Sequence, residues 1–101
     1  MDIKELEKAM HDFVRSKGWY ESPSAKPQTP KNLAISLVLE ATEVLEHFQW
    51  GEDFKDRDEL AGELADVMLY LMQLASITEV DLAQAVMDKL AINYKREWKD
   101  D

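Results

Sequence analysis

The chain has 101 residues, with 12 Lys and Arg against 21 Asp and Glu for a formal charge of −9, and it contains no Cys. That length fits one domain spanning 1–101, and the missing Cys excludes a disulfide scaffold, a thiolate zinc site and a thiol nucleophile. An acidic chain without a basic run is unsuited to duplex nucleic acid, where affinity depends on Lys and Arg neutralising phosphates, so any phosphate ligand calls for a bridging cation.

Helical periodicity dominates and no segment alternates as a strand does. The first ten residues, MDIKELEKAM, interleave charge with apolar side chains; this predicts neither a signal peptide nor a membrane span and makes the cytoplasm the expected compartment. A first helix is predicted from about Asp2 to Lys17, with Ile3, Leu6, Met10, Phe13 and Val14 at three-four spacing and Gly18 as its stop. His11 falls on its expected surface. Pro23, Pro27 and Pro30 mark a loop that ends in Thr29-Pro30, a capping residue followed by proline at the first helical position. A second helix is predicted from about Pro30 to Trp50, before Gly51. A third runs from about Arg57 to Ile77, capped by Asp56 or Asp58. A fourth is capped by Asp81 and continues to about Trp98, with Leu82, Ala85, Val86 and Leu90 inward. The expected fold class is all-α, four helices around a central antiparallel hairpin.

The second helix is apolar almost all round, which predicts burial on most sides, yet Ser36, Glu40, Glu43 and His47 form one polar stripe. The third repeats this arrangement with Glu59, Glu63, Asp66, Tyr70 and Gln73. Three-four steps keep each stripe on a single helix face. In an antiparallel hairpin centred at residue 53, Glu40 faces Asp66 and Glu43 faces Glu63. The same register sets Ser36 opposite Tyr70 and His47 opposite Glu59.

Four carboxylates between apolar helices repel one another and lose hydration, so the seam requires protonation or a cation. All-oxygen donors suit a hard ion, Mg²⁺ or Mn²⁺, which also takes phosphate oxygens as ligands. A di-iron bundle asks for Glu-x-x-His pairs; neither histidine supplies one, because Lys8 precedes His11 by three residues and Val44 precedes His47. Ordinary solvated helix faces account for either acidic pair alone. Two matched pairs on apolar helices favour metal.

These residues resemble the MazG-like, all-α nucleoside triphosphate pyrophosphatase superfamily, and its dCTP pyrophosphatase branch in particular. The Glu-x-x-Glu and Glu-x-x-Asp metal motif is matched by Glu40 and Glu43 followed by Glu63 and Asp66. Flanking similarities are Pro30-Lys31-Asn32-Leu33, Phe48-Gln49-Trp50, Val80-Asp81-Leu82, and Lys89 with Asn93 and Arg96. The resemblance implies cleavage between the α and β phosphates of a (deoxy)nucleoside triphosphate, yielding a monophosphate and pyrophosphate, with dCTP-like or modified nucleotides as substrates. It implies Mg²⁺, or Mn²⁺, held by Glu40, Glu43, Glu63 and Asp66, and a general base at Glu40 or Glu43. Lys89, Asn93 and Arg96 are implied phosphate contacts, Lys31 and Asn32 implied substrate contacts, Trp50 an implied base contact, Trp19 an aromatic that closes the pocket, and Tyr70 a sugar or phosphate contact. Gln28 stands near the base where the branch often carries histidine. Gly62 replaces a frequent acidic residue and Glu97 a usual tyrosine.

The contrasting function is a noncatalytic helical interaction module with an acidic, metal-binding seam. Either way, a chain of this size buries only about two-thirds of its unfolded surface, so a partner subunit is expected. The hairpin helices are apolar on more faces than one hairpin can cover, which predicts a homo-oligomer, a tetramer in preference to a dimer.

Overall fold

In the computed structural model, residues 1–54 and 56–97 are described, and they form four helices: α1 (Ile3–Ser16), α2 (Pro30–Glu46), α3 (Arg57–Ile77) and α4 (Leu82–Lys95). Each begins where a short polar side chain satisfies the free amides of a first turn. The Asp2 carboxylate accepts from Glu5 N at 2.9 Å, Thr29 Oγ1 from Asn32 N at 3.2 Å, and Asp81 Oδ1 from Gln84 N at 3.1 Å. Asp56, not Asp58, caps α3, and its Oδ1 accepts from both Asp58 N and Glu59 N. Gly18 follows α1 at φ +71, the left-handed conformation that glycine adopts without a steric cost. Glu79 takes φ 60 between α3 and α4, a turn without glycine to announce it.

Two predicted ends move inward. α2 stops at Glu46, and His47 to Trp50 instead form a tightened turn in which Phe48 N bonds Leu45 O at 3.0 Å and Gln49 N bonds Glu46 O at 3.3 Å. α4 ends at Lys95 because Arg96 turns to extended backbone, with ψ 135; Trp98 lies outside the described residues.

α3 is the central element, and α2, α1 and α4 all pack on it. The hairpin of α2 and α3 is the largest contact, while α4 touches α3 only lightly. Length and composition alone would let α3 cross a membrane, with a mean hydropathy of 1.3 over its most apolar stretch. Its position among three helices and its Glu63 and Asp66 mark it as the middle of a bundle, since a carboxylate in hydrocarbon is costly.

The core is small. Met10, Val14 and Met72 form its centre, with Ile3, Trp19, Tyr20 and Leu82 packed around it, and Leu33 and Ala75 are also buried. Among the described residues of α2, only Leu33 is buried, against the sequence expectation that this helix is covered on most sides; Val38 is 64% and Leu45 67% exposed. The inward face predicted for α4 is open too, and only Leu82 of that set is partly buried. One chain does not supply enough apolar surface to cover its own hairpin. Its accessible area of 8145 Å² exceeds the ~5,900 Å² of a compact monomer of 11.7 kDa. Its radius of gyration, 16.3 Å, likewise exceeds the ~13 Å of a compact chain this long.

Candidate active site

The hairpin brings the four predicted carboxylates into one electrostatic field. Glu40, half-buried on α2, has its carboxyl pushed above the ordinary range, first by burial, then by the neighbouring carboxyl of Glu43 and by the charges of Glu43, Asp66 and Glu63. Its Oε2 atom is out of contact with solvent and without a hydrogen-bond partner. A buried carboxylate oxygen without a donor is costly, and every charge around it has the same sign.

Three of the four acids line cavities, and Glu40 lines neither. Asp66 lines one of about 690 Å³ between α1, α2, α3 and the proline-bearing loop. Glu43 and Glu63 line a second of about 440 Å³ at the turn end of the hairpin, together with Glu46, Glu59 and Trp50. There Glu63 pairs with His47 across the hairpin. The sequence register instead set His47 opposite Glu59. His47 caps α2 with helical backbone, and its imidazole meets the carboxylate one turn deeper along α3 because side chains lean toward the N-terminus of their own helix, which brings His47 and Glu63 of antiparallel helices toward each other.

The donor set fits a hard divalent cation: oxygens from two helices, one of them buried and unpartnered, in a field that only positive charge relieves. The side chains are not closed around one point, however. Among the described residues, no three His, Asp or Glu groups are gathered at coordinating range. With Glu63 paired to His47, the arrangement is open and a cation would have to draw the acids together.

The larger cavity collects several of the implied nucleotide contacts: Trp19, Gln28, Asn32 and Tyr70, with Ser36 beside them as the register expects. Trp19 is clamped, edge-on to Phe13 with ring centroids 5.7 Å apart and with the Lys26 ammonium 4.8 Å above its ring. Asn32 donates to Pro27 O at 3.0 Å, tying the start of α2 to the loop. The other implied contacts lie elsewhere. Lys31 is exposed on the first turn of α2 and does not line this cavity. Trp50 is 88% exposed and belongs to the acidic cavity, away from Trp19. On α4, Lys89 and the C-cap Arg96 are exposed and Asn93 is half-buried, and none of the three lines either cavity.

Sequence reading missed a polar network beneath the larger cavity. His11, expected on the surface, is partly buried and bonds on both sides: Nδ1 to Tyr20 Oη at 2.6 Å and Nε2 to Ser76 Oγ at 2.8 Å. Burial, then the Arg15 charge, holds its pKa below the ordinary 6.5, partly offset by Glu7 and Asp12. Burial also raises the Tyr20 phenol, partly offset by its bond from Gln73 and by the Arg15 charge. Gln73, only 3% exposed, donates from Nε2 to Tyr20 Oη at 3.1 Å and to Gln28 Oε1 at 2.7 Å. The one sequence signal for this network is Gln73 itself, which continues the polar stripe of α3 two turns beyond Asp66.

Known proteins are similar to this chain over most of its length. The MazG-like family profile matches residues 35–101. The dCTP pyrophosphatase 1 of Mus musculus is 33% identical over 103 residues, covering 93% of this chain and 58% of that protein, and the Homo sapiens protein is 32% identical with the same coverage. The chain therefore spans little more than half the length of these relatives. A crystal structure of a pyrophosphatase from Archaeoglobus fulgidus superposes with a TM-score of 0.71 at 34% identity, covering 90% of this chain and 87% of that one. A shorter match, 46% identical over 39 residues, joins 39% of this chain to 13% of a dATP/dGTP diphosphohydrolase of Salmonella phage PMBT28.

Proposed function

The chain belongs to the MazG-like family, and from that premise we propose that it hydrolyses (deoxy)nucleoside triphosphates between the α and β phosphates, in cytoplasmic house-cleaning of nucleotide pools. The observation that carries this reading is Glu40, a half-buried carboxyl with an unpartnered oxygen and three more acids acting on it. The names of the similar proteins, dCTP pyrophosphatase and pyrophosphatase, support it.

Mg²⁺, or Mn²⁺ in its place, held by Glu40, Glu43, Glu63 and Asp66, would neutralise the triphosphate and polarise the α-phosphorus. The remaining work falls to side chains. A water oxygen forms a bond to the α-phosphorus as the bond to the bridging oxygen breaks, and pyrophosphate leaves with that electron pair. Glu40 or Glu43 accepts the proton of the attacking water. Trp19, Gln28, Asn32 and Tyr70 receive the base and sugar in the larger cavity, whose apolar walls exclude water. Trp50, Lys31, Lys89, Asn93 and Arg96, which lie outside that cavity, contact nucleotide once subunits assemble.

Assembly is part of the proposal. The exposed apolar faces of α2 and α4 pack on further copies of this chain, a tetramer in preference to a dimer. Light scattering should give a mass that is a multiple of the 11.7 kDa chain; a single-chain mass in protein that still hydrolyses nucleotide would refute it. The function is tested by incubating the protein with individual dNTPs and NTPs, dCTP first, plus Mg²⁺, and assaying pyrophosphate separately from phosphate. Pyrophosphate release is expected. A noncatalytic module would release none.

A further inference from the structure

Donor and acceptor counting in the network below the larger cavity leaves few free atoms. Both Nε2 hydrogens of Gln73 are used, on Tyr20 Oη and on Gln28 Oε1. Tyr20 Oη therefore accepts from Gln73, and its own proton goes to His11 Nδ1, 2.6 Å away. His11 then carries its proton on Nε2 and donates it to Ser76 Oγ. This neutral tautomer agrees with the lowered histidine pKa. Each bond fixes the direction of the next, so the Gln73 amide has one orientation.

Two polar positions on the cavity-lining residues remain unused. Gln73 keeps its carbonyl oxygen, Oε1. Gln28, whose Nε2 donates once to Lys26 O at 2.6 Å, keeps one N–H. Both residues line the cavity. The cavity wall thus offers an acceptor set deep, on a residue 3% exposed, and a donor beside it nearer the loop.

The placement of Gln73 says which part of a ligand it meets. Asp66, Tyr70 and Gln73 follow one another on one face of α3, and Asp66 to Gln73 spans two turns, about 10 Å. That is the length scale between the α-phosphate of a nucleotide and the far edge of its base. With phosphates at the carboxylates and the sugar near Tyr70, the exocyclic group on the distal edge of the base reaches Gln73.

We propose that Gln73 is the residue by which this site selects bases bearing an exocyclic amine over their oxo counterparts, and that Tyr20, His11 and Ser76 are positioning residues that hold its carbonyl oxygen toward the base. An amine donates to Gln73 Oε1 while the adjacent ring nitrogen accepts from Gln28. An oxo base sets its oxygen against that acceptor, and both are left unpaired away from water. The inference rests on the reading that the larger cavity takes the base of a nucleotide.

Calorimetric titration with two matched pairs, dCMP against dUMP and dAMP against dIMP, reads the preference without requiring turnover. The wild-type protein with Mg²⁺ should bind the amine member of at least one pair roughly tenfold more tightly. Gln73→Met should bring that ratio to near unity. Tyr20→Phe, which frees the Gln73 amide to turn, should lower it as well. Should Gln73→Met not fold, Tyr20→Phe decides alone. Equal binding of both members by the wild type, no binding of any of the four, or a ratio kept in Gln73→Met overturns the proposal; a ratio lost there but kept in Tyr20→Phe overturns the positioning role. Pyrophosphate assays on the same wild-type protein separate the two readings. Base preference without pyrophosphate release removes the hydrolase and leaves this inference standing, whereas release without base preference does the reverse.

Discussion

The two polar regions flanking α3 handle burial in opposite ways. Toward α1, Ser76, His11, Tyr20, Gln73 and Gln28 form a hydrogen-bonded chain in which His11 and Tyr20 are paired on both sides, over the apolar centre of Met10, Val14 and Met72. Toward α2, Glu40 keeps an unpartnered oxygen among three further acids. A satisfied network holds one arrangement and stabilises it, whereas a field of like charges costs stability until something outside the chain neutralises it. The first region is held in place by the fold. The second calls for neutralisation from outside the chain.

That contrast breaks most sharply in activity. Glu43→Ala or Asp66→Ala should lower pyrophosphate release by roughly 10³-fold, several kcal/mol of transition-state stabilisation. Removing one acid also relieves repulsion, so both variants should melt no lower than wild type in metal-free buffer, a result checked by calorimetry. On the other side the signs reverse. Met72 is 1% exposed, and Met72→Ala should cost about 2–5 kcal/mol of folding free energy, measured by urea titration, through the cavity it leaves.

A smaller effect comes from metal. Ions that bind only the folded seam stabilise by about 2.7 kcal/mol at 100 times the dissociation constant. Mg²⁺ or Mn²⁺ should therefore raise Tm by on the order of 10 °C, and the increment should vanish in Asp66→Ala. Calcium should stabilise while supporting little turnover. The absence of any shift at millimolar metal, with or without nucleotide, would leave the seam as a plain acidic surface.

The smallest effect distinguishes the regions by pH. The fold holds the His11 pKa below 6.5, so the neutral imidazole is favoured in the native state. Its contribution to stability is fully present above pH 6.5 and is lost as pH falls through the interval between 6.5 and the depressed folded value. Melting temperatures followed from about pH 7.5 to about pH 5 should decline more steeply in wild type than in His11→Gln. Identical slopes would mean that His11 titrates alike folded and unfolded.

Much of this layout is legible in the residue order. Thr29-Pro30 announces α2, Asp81 announces α4, and the three-four steps of Glu40, Glu43, Glu63 and Asp66 place two acidic pairs on facing helices. Local rules sufficed there because a cap or a stripe is decided within a turn or two. They failed where the partner is remote. His11 reads as a surface residue of an amphipathic helix, yet Ser76 meets it from 65 residues away, and His47 takes Glu63 instead of Glu59 because side chains on antiparallel helices lean toward each other from opposite ends.

By itself the sequence determined four helices, their caps, a seam with more carboxylates than a folded interior tolerates unaided, and an excess of apolar faces. Capping, periodicity and charge repulsion act over short spans, and composition cannot hide them. The tertiary structure decided that Glu40 is the acid left with a buried, unpartnered oxygen, that Gln73 is locked through Tyr20 by His11, and that Trp19 and Trp50 face different cavities. Those outcomes follow from how helices distant in sequence pack, and the packing alone sets which polar atoms lose water and which neighbours replace it.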